Sequence, residues 1–255
     1  MARLHTLSAG RALTPRRAIA RVAECARAGL RVRAVCTGLP LLLGALSRVA
    51  VSLTHLDISA SSPGIDTILA AADMLMLADG DAPVPPLLSL VLPRAPLSRR
   101  AAALRSAGAG AEPTARDERG HKDDGGEEEG REGEVGSEGA AGARGALLAL
   151  SRAVLSSGSL LSVQLGADGP LLPVRAWRPG SLAAVTLGFR GRLPLADAQL
   201  LAFLAAGGGG ADALSLHGCE LGDAGAAELC DALRAPHVRL RRLSLRGAGL
   251  GARAL

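Results

Sequence analysis

Apolar residues recur along this chain in short alternating runs, and the clearest of them return every 29 residues. Leu214 and Leu243 stand 29 apart, as do Leu216 and Leu245, Leu221 and Leu250, and Gly222 and Gly251. Val185 is 29 before Leu214, and Leu200 and Leu204 are each 29 before Leu229 and Leu233. The runs follow one template, apolar at positions 1, 4, 6, 9 and 11, with departures at position 9. Toward the N-terminus the template reads Leu182-x-x-Val185-x-Leu187, with Arg190 at position 9 and Leu193 one residue late. Before it come Leu160-x-x-Val163-x-Leu165, Leu87-x-x-Leu90-x-Leu92, Leu53-x-x-Leu56-x-Ile58 and Val32-x-Ala34-x-x-Thr37-x-Leu39. Leu4-x-x-Leu7 is the faintest match, with Leu7 at position 4. Alternation over so few residues predicts short strands, each with one buried face.

Helical patterns fill the intervals. Ile19, Val22, Ala23 and Ala26 share a face after Pro15, a residue suited to a first helical turn. Further faces are Leu42, Leu43, Leu46 and Val49; Ile65, Ile68, Ala72 and Leu75; Leu147, Leu148, Val154 and Leu155; and Leu200, Leu201 and Leu204. Ala226, Leu229 and Leu233 end the series, with Asp223 placed to cap that helix and Glu228 and Asp231 toward solvent. The connection after Leu165 holds Pro170, Pro173 and Pro179 and cannot be a regular helix. Strand and helix thus alternate, which demands parallel strands and right-handed crossovers and stacks the units into a curved solenoid. One unit alone buries too little apolar surface to offset the entropy of ordering it, so each depends on its neighbours.

The stretch Leu216-x-x-Cys219-x-Leu221-Gly222-Asp223-x-Gly225-Ala226-x-x-Leu229-x-x-x-Leu233 resembles the ribonuclease-inhibitor subtype of leucine-rich repeats. The resemblance is specific over residues 182–255 and approximate over the rest. It implies an α/β fold, a leucine-rich repeat horseshoe with parallel strands on the concave face and helices on the convex face. It also implies Cys or Asn at position 9, which here is Cys219 once and otherwise Arg190, Asp168, Ser61, Ala95 or Ala248. The implied function is recognition of a macromolecular partner on the concave face. The variable strand positions there are His55, Asp57, Ser89, Gln164, Thr186, Ser215, His217, Arg242, Ser244 and Arg246, with Arg241 and Arg253 making that end basic.

Composition changes this picture in two places. With no Tyr, two Phe and one Trp, the core has to be built from Leu, Val and Ala, and Trp177 in its Pro-rich loop reads as a local packing plug. Arg stands in for Lys almost everywhere and Asn is absent, which fits a GC-rich coding sequence better than selection for Arg chemistry. Residues 107–143 carry many glycines, high charge and a single Val, too little to bury, and read as a disordered acidic insertion. It separates degenerate repeats over residues 1–106 from clearer ones over residues 144–255, the last of which is incomplete. Residues 112–138 hold 11 acidic and 4 basic side chains, leaving 13 acidic and 25 basic elsewhere, so a segment of −7 is set in a body of +12. Such a body attracts acidic partners or its own acidic segment, while the lack of stacking aromatics argues against nucleic acid.

Candidate chemistry is sparse. P-loop, zinc-protease, serine-hydrolase and kinase signatures are absent from the sequence. The four glycines at residues 207–210 lack the Lys-Ser/Thr of a phosphate cradle and read as a linker. His217 and Cys219 diverge, one outward and one inward, so they do not form a nucleophile pair. The acidic run lacks calcium-loop order, and Cys25, Cys36, Cys219 and Cys230 lack zinc spacing, so neither metal nor cofactor is expected. Unpatterned cysteines fit a reducing compartment. The best apolar run, residues 39–50, is cut by Arg48 and is too short to span a membrane. The N-terminus is Arg-rich with no acid before Glu24, as in a transit peptide, but the Arg bias alone produces that, and a cytoplasmic location is expected. The expectation is a non-catalytic protein-interaction scaffold. The alternatives are a regulator of a small GTPase like the Ran GTPase-activating proteins, or the receptor part of a larger immune-type or ubiquitin-ligase protein. The unfinished last repeat leaves an apolar edge, which suggests a longer solenoid or edge-to-edge association.

Overall fold

The computed structural model describes residues 4–7, 31–34, 40, 41, 43, 44, 53–61, 64–76, 87–94, 135–178, 181, 184–186, 190–236 and 238–250. The helix expected at residues 19–26, and residues 107–134 of the insertion, lie outside them; the one at 42–49 is described only at residues 43 and 44.

Five strands follow one another in space as in sequence: β1 (Leu4–Leu7), β2 (Arg31–Ala34), β3 (His55–Asp57), β4 (Ser89–Leu92) and β5 (Ser162–Leu165), all parallel. Their register sets Val32 beside Leu56, Leu56 beside Leu90 and Leu90 beside Val163, so position 4 of the template forms one row. Position 1 (Leu53, Leu87, Leu160), position 4 (Leu56, Leu90, Val163) and position 6 (Ile58, Leu92, Leu165) are all at most 2% exposed. The register of β1 differs from the expected one. His5, not Leu7, lies beside Val32, and Leu7 lies beside Ala34 at position 6. A shift of two residues keeps every side chain on its original face, so alternation alone does not distinguish the two registers.

The expected parallel series stops after β5. A short strand β6 (Leu172–Pro173) returns antiparallel and pairs Pro173 with Ser162 and Leu172 with Val163. It takes the edge that the next parallel strand would use. Proline has no N–H for a ladder, so it is tolerated at such an edge and not in a central strand. The 3-10 turn Val174–Trp177 follows, with Val174 and Trp177 buried.

The chain then lays down β7 (Ala184–Thr186), β8 (Gly191–Arg192), β9 (Ala213–Ser215), β10 (Cys219–Glu220) and β11 (Arg242–Ser244). β7, β9 and β11 form a second parallel sheet with β9 in the middle, and β8 and β10 a short parallel pair. Val185 pairs with Leu214 and Leu214 with Leu243, each 29 residues on, so the period of the sequence is the register of this sheet. The turn geometry repeats too. Cys219 N donates to Leu216 O, Ala248 N to Leu245 O and, in the first sheet, Ser61 N to Ile58 O, each at 3.0 Å. Gly218 and Gly247, again 29 apart, take φ of 75° and 71°, the left-handed region that glycine enters without steric cost.

Four helices are described: α1 (Ile65–Met76), α2 (Val135–Ser156), α3 (Leu195–Gly208) and α4 (Gly222–Leu233). They pack in chain order, α1 on α2, α2 on α3 and α3 on α4. Their buried stripes and the inward strand residues belong to one apolar core. The helix expected from residue 144 begins at Val135, inside the segment expected to lack order. At Gly142 α2 comes beside α1, where a Cβ would stand in ordinary contact 3.5 Å from Ile65 Cδ1. From Ala143 on, the buried stripe is Ala143, Ala146, Leu147, Leu150, Ala153 and Val154, which is one helical face. α4 begins at Gly222 after Leu221, so Asp223 lies within its first turn and not at the cap. Glu228 is not turned to solvent either. Its Oε1 accepts from Gln199 Nε2 at 2.9 Å and its Oε2 lies 3.1 Å from Arg144 Nη2, tying α2, α3 and α4 together. Among the described residues no helix is long and apolar enough to cross a membrane.

The architecture is therefore mixed α/β, with two parallel sheets in sequence order and a layer of helices on their apolar face.

Candidate functional site

The outward strand positions fall into two groups, one per sheet. In the first sheet, three of them are occupied by local hydrogen bonds. Asp57 Oδ1 accepts from Ser59 N at 3.0 Å and Ser59 Oγ at 2.7 Å, which fixes the turn after β3. His55 Nδ1 lies 2.9 Å from Thr54 Oγ1. Gln164 Nε2 donates to Ala167 O and Gly169 O, both at 3.0 Å, and so holds the turn after β5.

In the second sheet the outward rows are Ala184, Ala213 and Arg242, then Thr186, Ser215 and Ser244. All but Arg242 end within two heavy atoms of Cα, so the sheet has a low floor. His217 is exposed while Leu216 is 0% exposed and Cys219 is buried, so the two candidate nucleophile-pair residues do point apart. Burial raises the Cys219 thiol above its ordinary value, which keeps it protonated. Arg246 lies one residue past the half-buried Leu245 and is exposed. Arg190 holds the template position that Cys219 fills 29 residues later, but a guanidinium cannot enter that apolar turn. It is exposed, with Cγ 4.0 Å from where a Cβ on Gly218 would stand. Thr186, His217, Arg242, Ser244 and Arg246, with Ser215 among them, are thus brought to one face; His55, Asp57 and Gln164 belong to the other sheet.

Arg242 is not unopposed. Its Nη2 lies 3.4 Å from Asp212 Oδ2, and Arg241 Nε lies 3.4 Å from Asp212 Oδ1. One carboxylate faces two guanidinium groups, so the corner keeps a positive charge. No described residue pairs with the side chains of Arg190, His217 or Arg246.

The structure also assembles a charged cluster that the strand pattern does not reveal. Arg94, just past β4, reaches Asp168 in the turn after β5 with Nη1 to Oδ2 at 3.1 Å. Its Nε lies 3.7 Å from Oδ2 of Asp197 in the first turn of α3. That distance is too long for a hydrogen bond, and Arg94 Nε and both Asp197 oxygens have no hydrogen-bond partner among the described residues. A bond from its own backbone amide, then Arg94, holds the exposed Asp168 carboxyl below the usual range. Asp197 is 0% exposed, and burial pushes its carboxyl up to about 7 against the pull of Arg94. A signal for Asp197 does exist in the sequence. It lies on the same helical stripe as Leu193, Leu200, Leu201 and Leu204, a charged residue on a core face.

The four glycines at residues 207–210 end α3. Gly209 takes φ 60° as its C-terminal cap, and Gly208 and Gly210 leave room for backbone, since a Cβ would fall 1.8 Å from Trp177 O and 1.9 Å from Arg178 O. Arg178 in turn donates to the carbonyls of Ser157, Gly158 and Leu160 beyond the end of α2. No family model matches the chain, and no curated protein matches it significantly.

Proposed function

We propose that the chain is a leucine-rich repeat solenoid of the ribonuclease-inhibitor-like subtype and that it works as a non-catalytic scaffold, binding a protein partner on its strand face. The observation that carries the reading is the agreement of two independent periods. The 29-residue recurrence of Leu, Val and left-handed Gly in the sequence equals the strand register of the second sheet, which is what stacked, equivalent units produce. Units of this kind place one invariant apolar row inward and leave the outward row to vary, so the outward row is where recognition resides. In the second sheet that row combines a low floor with basic side chains at its ends, and a flat floor of small residues offers a partner contact without a catalytic constellation. We place the protein in the cytoplasm, where Cys219 and Cys230 remain thiols.

The test is affinity capture with the tagged full chain and with Ser215→Trp, which fills the floor without touching the core. The expected outcome is a partner retained by the parent chain and lost by the variant. A partner that binds both equally places recognition elsewhere, and stimulation of GTP hydrolysis by a Ran-type GTPase replaces the scaffold with a GTPase regulator.

A further inference from the structure

We infer that the second sheet's outward face takes an extended acidic segment of a protein partner, with carboxylates four residues apart meeting Arg242 at the start of β11 and Arg246 in the turn just past its end. The inference rests on the scaffold reading above and adds the chemistry of the occupant. Three observations carry it. The floor, Ala184, Thr186, Ala213, Ser215 and Ser244, has no long side chain, so a backbone can lie close to it and meet the hydroxyls of its middle row. Arg242 opens β11 and Arg246 lies two residues past its end, where the turn closed by Ala248 N and Leu245 O begins, so the two are at most roughly 13 Å apart, a span that side chains four residues apart on an extended ligand can cover. The charges at both ends are of one sign. Arg190, His217 and Arg246 have no described carboxylate partner, and at the other end Asp212 is outnumbered by Arg241 and Arg242.

A basic face alone would also suit a nucleic acid. Among its described residues this one carries a single ring, the His217 imidazole, and no row of aromatics on which successive bases could stack. An acidic peptide needs only the two charged ends and the small middle.

The experiment uses fluorescence anisotropy on the full chain with the labelled peptide Glu-Ser-Ala-Ser-Glu, its Gln-Ser-Ala-Ser-Gln analogue and a single-stranded RNA 12-mer. The expected result is binding of the glutamate peptide that weakens from low to high salt, at least tenfold weaker binding of the glutamine peptide, and at least a tenfold loss in Arg246→Glu and in Arg190→Glu. Arg152→Glu, on the exposed side of α2, is the control and leaves binding unchanged; unfolding midpoints of all variants check that they fold. Equal binding of both peptides, no binding of the glutamate peptide at millimolar concentration, or binding indifferent to Arg246→Glu overturns the inference. Tighter binding of RNA at the same residues overturns it in favour of nucleic acid. A captured partner lost on Ser215→Trp but kept by both charge reversals refutes the acidic occupant and leaves the scaffold standing; loss by neither refutes both.

Discussion

At Asp197 a carboxyl group with no exposure to solvent meets one guanidinium at a distance too long to hydrogen-bond. Its folded-state value of about 7 lies above the ordinary 3.8, so the folded chain holds this proton more tightly than the unfolded chain does. The contribution to stability is therefore complete below about pH 4 and is lost as pH rises through about 7. The ceiling is about 4 kcal/mol, and water penetration and relaxation bring the expected loss to roughly 1–3 kcal/mol. Asp197→Asn is neutral at every pH, so its urea midpoint should exceed that of the parent at pH 8, by less at pH 5, and converge with it below about pH 4. A constant difference between the two proteins across that range would show that the carboxyl stays ionised. A second prediction concerns Gly208. A Cβ there would stand 1.8 Å from Trp177 O, which is backbone and cannot swing away, so Gly208→Ala must separate α3 from the 3-10 turn. A loss of at least ~2–3 kcal/mol is expected from urea unfolding. Gly207→Ala meets only the Leu155 Cδ1 methyl at 2.9 Å, a movable group, and should cost less.

Among the elements, what the sequence revealed and what it concealed have physical causes. The template positions in β3, β4, β5 and β9 were legible because burial on one face forces alternation, and Leu, Ile and Val record it. The register of β1 was not, since a two-residue slip leaves the alternation intact. The break after β5 was half legible: prolines excluded a helix, but nothing in them says that Pro173 will lie antiparallel on Ser162. The start of α2 was hidden because residues 135–142, rich in glycine, carry no apolar stripe that would announce a helix. Of the site, the outward strand positions were readable from parity alone. The meeting of Arg94, Asp168 and Asp197 was not, because they come together across two turns and one helix that no local pattern links, although Asp197 alone stands out as a charge on a core stripe. Glu228 was assigned to solvent from its flank of α4, yet Gln199 stands 29 residues earlier, at the equivalent place on α3. The pair is thus a rung between equivalent positions. A double-mutant cycle with Gln199→Ala and Glu228→Ala should give a coupling of about 0.5–1.5 kcal/mol in unfolding free energy, and additive losses would mean that the rung contributes nothing.

For the molecule as a whole, the sheets are interrupted between β5 and β7 while the helices run on from α2 to α3. Cohesion across the interruption therefore falls on the helix layer and on the segment at residues 174–178. Trp177 is 1% exposed and its 3-10 turn packs on both α2 and α3; Arg178 holds the carbonyls beyond α2, and the glycines at the end of α3 accept the Trp177 and Arg178 backbone. Together these contacts tie residues before the interruption, through the segment within it, to residues after it. Trp177 is also the only tryptophan in the chain, so its fluorescence reports this junction and nothing else. If the junction couples the two sheets, tryptophan fluorescence and far-ultraviolet circular dichroism should trace one urea transition with one midpoint. Arg178→Ala leaves the carbonyls of Ser157, Gly158 and Leu160 without this donor and should loosen the junction while sparing the interior of either sheet. In that variant the fluorescence midpoint should fall below the circular dichroism midpoint, or the dichroism transition should split in two. A variant whose two probes move together and stay superimposed would instead place the coupling in α2 and α3 themselves, where Leu150→Ala, in the fully buried stripe of α2, should then lower both midpoints by the equivalent of about 2–5 kcal/mol.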